Sequence, residues 1–129
     1  MRFRYTILYV PDVPATLDFY ERAFGCETEF LHESGAYGQL RTGDTRLAFS
    51  STELMTQLGK RPGRPDPAAP VFEIAFETDD VPGAIARARA AGARIVQEPR
   101  EEPWGQTTAY AIDPNGYLVE ICSPVAGED

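Results

Sequence analysis

The side chains best suited to chemistry in this sequence are carboxylates and phenols. There is one histidine, His32, and there are two cysteines, Cys26 and Cys122, with no CxxC spacing. A transition-metal centre favours imidazole or thiolate, so donors for one are scarce. In an extended run, side chains alternate between faces. Glu73 and Glu77 therefore share one face of their run, and Glu120 and Cys122 share one face of another. Carboxylates held together in a low-dielectric site push one pKa up and can work as an acid–base pair. The same pair can attract an amine or guanidinium, or each carboxylate can simply be solvated. Cys122 would need an activating base or cation to act as a nucleophile, and none is evident. Tyr5, Tyr9, Tyr37 and Tyr110 fall in strand-like runs, where aromatics either wall a ligand or pack. Trp104 lies in a loop-like stretch, where it either covers a ligand or caps the edge of a core. His32, flanked by Glu33, is a candidate acid–base group or a surface residue. Arg41 and Arg46 on neighbouring runs could meet an anion. No Gly-rich phosphate loop, Ser-centred elbow or HExxH is present, which removes the enzyme classes built on them.

The elements that must hold these residues repeat. Asp12-Val13-Pro14-Ala15 recurs as Asp80-Val81-Pro82-Gly83, 68 positions later. Each copy follows an alternating apolar run, Arg4–Val10 or Val71–Thr78. Each opens a helical pattern, with Asp placed to accept orphan N–H groups and Pro in the first turn. The helices are expected over Pro14–Phe24 and Pro82–Ala91, closed by Gly25 and Gly92. Three strand-like runs follow each helix. In the first half they are Glu27–His32, Ala36–Arg41 and Thr45–Ser51. In the second half they are Arg94–Gln97, Thr107–Ile112 and Tyr117–Cys122, with Asp113-Pro114-Asn115-Gly116 as the last tight turn. Between the halves, Lys60–Pro70 holds four prolines and reads as exposed linker, with a short helix expected at Glu53–Leu58. The expectation is one α+β domain over 1–129: module one at 1–51, linker at 52–70 and module two at 71–124. Each module is βαβββ, with a mixed sheet and its helix on the outer face.

A net charge of −8 makes nucleic acid and anionic membrane poor partners and a cationic ligand electrostatically welcome. No apolar run approaches the roughly 20 residues of a membrane helix. The short apolar start ends at Pro11 and Asp12 and reads as a strand, not a leader. Two isolated cysteines read as reduced thiols, hence a cytoplasmic protein.

Tyr5–Gly25 (YTILYVPDVPATLDFYERAFG) and Thr107–Ser123 (TTAYAIDPNGYLVEICS) resemble the vicinal oxygen chelate superfamily, also called the glyoxalase, bleomycin-resistance and dioxygenase superfamily. The resemblance spans nearly the whole chain. It implies that the two modules curl mixed sheets around a cavity, and that the protein is a homodimer. It also implies four family metal positions, on the first and last strand of each module. Here they fall on Tyr5, Ala48, Glu73 and Glu120. Two carboxylates and a phenol that ionises near pH 10 make a poor catalytic site for zinc, nickel or iron. Glu73 and Glu120 could hold Mg²⁺ or Mn²⁺ weakly. The reading is therefore a small-molecule-binding protein like the bleomycin-resistance branch, with no cofactor. Glu73 and Glu120 would be its acidic groups, and Tyr5, Tyr9, Ala48, Trp104 and Cys122 its ligand contacts. The alternative is a glyoxalase-like lyase or isomerase that uses Glu73 and Glu120, with or without a weakly held divalent metal.

Overall fold

The computed structural model describes residues 1–125. The chain divides into two compact units, Met1–Gly63 and Arg64–Asp129.

The first unit begins with β1 (Tyr5–Val10) and α1 (Val13–Phe24), followed by β2 (Thr28–Leu31), β3 (Tyr37–Leu40), β4 (Arg46–Ser51) and α2 (Thr52–Gln57). Its strands lie in the order β1-β4-β3-β2, with β1 parallel to β4 and the other pairs antiparallel. The helix begins where Asp12 accepts the Ala15 N–H at 3.0 Å and ends where Gly25 takes a left-handed φ of 72°. A side chain there would be strained, which is why the stop falls on glycine. The alternation of β1 decides which face is buried. Leu8 and Val10 are buried, as are Leu17 and Tyr20 of α1, which packs on β2, β3 and β4, and Leu40 and Phe49 of the sheet, whereas Tyr5 and Ile7 on the opposite face of β1 stay 45% exposed. The Tyr20 and Phe49 rings meet at 5.1 Å between centroids. Close packing extends to the backbone at Gly38, where a Cβ would sit 2.6 Å from Leu17 Cδ1.

The second unit repeats the plan with β5 (Glu73–Glu77), α3 (Val81–Ala90), β6 (Arg94–Glu101), β7 (Thr107–Ile112) and β8 (Leu118–Cys122), in the order β5-β8-β7-β6. Asp80 accepts the Gly83 N–H at 3.0 Å, and Ile85 and Ala88 bury the inner stripe of α3 against β6, β7 and β8. Both α+β modules therefore carry a four-stranded mixed sheet with its helix on one face, and neither sheet closes into a barrel.

Boundaries moved in informative places. Both long helices start one residue earlier than expected, at the valine after the capping aspartate. The short helix is Thr52–Gln57, because the Ser51 hydroxyl oxygen accepts the Leu54 N–H at 3.0 Å. Strand β6 continues four residues past Gln97. Its pairing with β7 shifts register between Ile95 and Gln97 and again between Gln97 and Arg100, and the second irregularity carries the strand through Glu98 and Pro99. Within the linker, the Ala69 N–H bonds the Asp66 carbonyl in an isolated turn. No helix among the described residues is long and apolar enough to cross a membrane.

Candidate functional site

The helix-free face of the second sheet brings the expected carboxylates together. Strands β5 and β8 run parallel with Ala75 opposite Glu120 and Glu73 opposite Leu118, so Glu73 and Glu120 are diagonal neighbours on one face. The hairpin of β7 and β8 sets Tyr110 opposite Glu120. The Tyr110 hydroxyl donates to Glu120 Oε2 at 2.7 Å and lies 3.3 Å from Glu73 Oε2. A phenol has one proton to give, so the shorter contact is its main bond. Burial pushes the Tyr110 phenol well above its usual range, and the bond to Glu120 and the two carboxylate charges push it further. Tyr110 is thus a fixed, neutral donor between two acids.

Cys122 is buried on the same face, two residues along from Glu120. Its pKa is raised by burial first and then by the charge of Glu120 and a hydrogen bond to it. This is the opposite of an activated thiolate. Glu73, Glu77 and Glu120 take part in no ion pair among the described residues.

The first sheet has the same geometry and different chemistry. Ala48 lies opposite Ile7 and Gln39, as Glu120 lies opposite Ala75 and Tyr110. Ala48 thus takes the place of Glu120 and Gln39 that of Tyr110. Ala48 is fully buried and offers only a methyl group. The polar groups beside it are tied to one another. Arg46 Nε donates to Glu29 Oε1 at 3.0 Å, Gln39 Nε2 donates to the same oxygen at 2.7 Å, and the Tyr37 hydroxyl donates to Gln39 Oε1 at 3.0 Å. The Arg46 bond, followed by the Gln39 bond, holds the Glu29 carboxyl below its usual range. Burial raises the Tyr37 phenol.

The arginines expected to await an anion are thus engaged internally. Arg46 pairs with Glu29, and Arg41 lies 3.7 Å from Glu27 and 3.8 Å from Glu29. Tyr5 lies under the Arg4 guanidinium, and the Lys60 ammonium donates to the Tyr9 hydroxyl at 3.3 Å.

Trp104 does not seal a core edge. It is 59% exposed in the β6–β7 connection, and its indole N–H donates to Gln106 Oε1 at 2.7 Å. His32 lies just beyond β2 rather than in it, with Nδ1 2.8 Å from the Ser34 hydroxyl oxygen. Both cysteines are free thiols.

Two features were missed from sequence: the role of Tyr110 as the link between the acids, and the Glu29–Gln39–Arg46 network. The first was open to counting. In a hairpin centred on Asn115, the partner of Glu120 is Tyr110. The second depends on an irregularity of β2 between Thr28 and Phe30, which periodicity does not reveal.

Of the four family positions, one is a methyl group and one a phenol, and no three His, Cys, Asp or Glu side chains group as metal ligands among the described residues.

Two sheets of this topology, each with a helix on one face and a polar opposite face, define a class of paired βαβββ proteins. Residues 2–121 match the model of the Glyoxalase/Bleomycin resistance protein/Dioxygenase superfamily, and the chain belongs to that superfamily. It is 30% identical over 137 residues to the lactoylglutathione lyases of two Neisseria meningitidis strains, of serogroups A and B, covering all of this chain and 95% of each relative. Among solved structures, a glyoxalase-related enzyme from Fulvimarina pelagi superposes with a TM-score of 0.81 at 22% identity, over 95% of this chain and 88% of that one. TioX from Micromonospora sp. ML1 superposes with a TM-score of 0.72 at 23% identity, over 95% and 98%. At such identities the structures share the fold.

Proposed function

We propose that this chain binds a small organic molecule without a metal, in the manner of the bleomycin-resistance branch, through the polar faces of its sheets. The observation that carries this reading is the Glu73–Tyr110–Glu120 constellation. Two carboxylates share one phenolic proton and have no basic partner among the described residues. Such a pair favours a ligand that brings hydrogen-bond donors or positive charge. Trp104, exposed in the same unit, would add aromatic contact area. The protein would act in the cytoplasm as a homodimer, with no nucleic-acid or membrane partner, as its acidity and the superfamily suggest.

The test pairs elemental analysis with a thermal-shift screen of basic aromatic compounds. The expected result is no stoichiometric metal and stabilisation by at least one compound, unchanged by chelator. Stoichiometric metal, or a stabilisation that chelator abolishes, overturns it. Glu120→Gln is expected to weaken that compound about tenfold, the cost of losing one charged hydrogen-bond partner.

The name of the Neisseria relatives favours a second reading, a lyase or isomerase. Glu73 and Glu120 would then move a proton at the substrate, with Tyr110 stabilising the ionised form of Glu120. Formation or breakdown of lactoylglutathione, lost in Glu120→Gln, would establish this reading in place of the first. Absence of turnover at high enzyme concentration would remove it.

A further inference from the structure

A cleft of about 560 Å³ opens in the first unit between the start of α1, the β2–β3 turn and α2. Such a volume suits a small ligand. The cleft shares only Tyr37 with the polar network of the first sheet. Its walls are held from several sides. Asp12 caps α1, Ser51 caps α2, and the Ser51 N–H donates to the Ala36 carbonyl at 2.9 Å. Gly35, at φ 74°, brings the turn against Pro14, whose Cγ lies 3.8 Å from where a Cβ would stand.

The chemistry of the lining is one-sided. Pro11, Pro14 and Leu54 give an apolar floor, and Asp12 and Glu53 bring two carboxylates with no lysine or arginine among the lining residues. Asp12 spends Oδ1 on its helix cap, while Glu53 meets no donor among the described residues. His32 Nδ1 accepts the Ser34 backbone N–H at 3.0 Å, so the proton of the neutral ring is on Nε2. That N–H meets no acceptor among the described residues. A metal ion is a poor occupant, because no three suitable ligands group here. An anion would meet two like charges.

We propose that this cleft is a second ligand site, separate from the Glu73–Glu120 face, for a small organic cation. The occupant carries a primary ammonium on a short apolar or aromatic body. The ammonium sits between the Asp12 and Glu53 carboxylates, the body lies on Pro11, Pro14 and Leu54, and an oxygen on the occupant accepts from His32 Nε2.

Tyramine has these groups. Tyrosol is its neutral isostere and 4-hydroxyphenylacetate an anionic counterpart. The experiment titrates each into the isotopically labelled full-length chain and follows backbone amide resonances. The expected result is that tyramine shifts the amides of residues 32–37 and 52–57, tyrosol binds more weakly, and 4-hydroxyphenylacetate does not bind there. Asp12→Asn keeps the helix cap while removing charge. Combined with Glu53→Gln, it is expected to weaken tyramine about tenfold, as for two exposed ion pairs. Glu120→Gln should leave these shifts unchanged, which separates this site from the one proposed above. The proposal is overturned by shifts confined to β5, β7 and β8, by equal binding of tyrosol, by unchanged affinity in the double variant, or by no response to tyramine at millimolar concentration.

Discussion

Tyr110 concentrates the chemistry of the second sheet in one hydroxyl, and its protonation is a stability statement. Its folded pKa lies above the unfolded value near 10, so its contribution is complete below about pH 10 and is lost as pH rises beyond it. Tyr110→Phe should therefore flatten the alkaline limb of a stability-against-pH curve. A denaturant series between about pH 9 and 11 checks this, and parallel curves for the two proteins would refute it. Glu29 runs the other way. Its carboxyl is held low by Arg46 and Gln39, so its contribution is present above the ordinary carboxylate range and fades as pH falls through the lowered value. Glu29→Gln should flatten the acid limb. The acidic pair was legible from alternation, because Glu73 and Glu120 needed only a shared face. The fate of Arg46 was not. A salt bridge to Glu29 depends on how β2 bulges against β3, and strand period carries no signal for that.

At the scale of elements, the repeated Asp-Val-Pro opening is a capping device, and its two copies should behave alike. Asp12→Ala and Asp80→Ala each remove an acceptor for one orphan N–H and should cost about 1 kcal/mol, whereas Asp→Asn at either site should be nearly neutral. Equilibrium unfolding of the four variants tests the pattern, and equal losses for Asn and Ala would show that the cap bond is not the cause. Gly38→Ala tests packing at the same scale. Its new methyl would stand 2.6 Å from Leu17 Cδ1 and 3.2 Å from Val13 Cγ1, an overpacking expected to cost about 1–3 kcal/mol. Most element limits were readable because caps, glycine stops and the Asp113–Gly116 turn are chemical punctuation. Strand β6 was not, since Pro99 belongs to a bulged edge strand that looks like a loop in one dimension. The same segment explains why the repeat drifts. The first strands are offset by 68 residues, Tyr5 to Glu73, and the last by 72, Ala48 to Glu120. The second module spends extra residues between its helix and β7.

For the whole molecule, the net charge of −8 is distributed unequally in its consequences. In the first unit the sheet-face carboxylate Glu29 is neutralised by arginine, and in the second Glu102 is bonded by Arg100 at 2.8 Å. Glu73, Glu77 and Glu120 have no such basic partner among the described residues, nor do Asp12 and Glu53 at the cleft. Any cation that binds at these places also feels the field of the remaining acids, which salt screens over about 10 Å at 0.1 M. The affinity of a cationic ligand should therefore fall as ionic strength rises from about 10 mM to about 150 mM, while that of a neutral isostere should hardly move. Calorimetric titration of tyramine and tyrosol at the two salt levels makes the comparison. If both compounds responded equally, burial of the aromatic body would be the driving force, and the unpaired carboxylates would have no part in selecting what this protein holds.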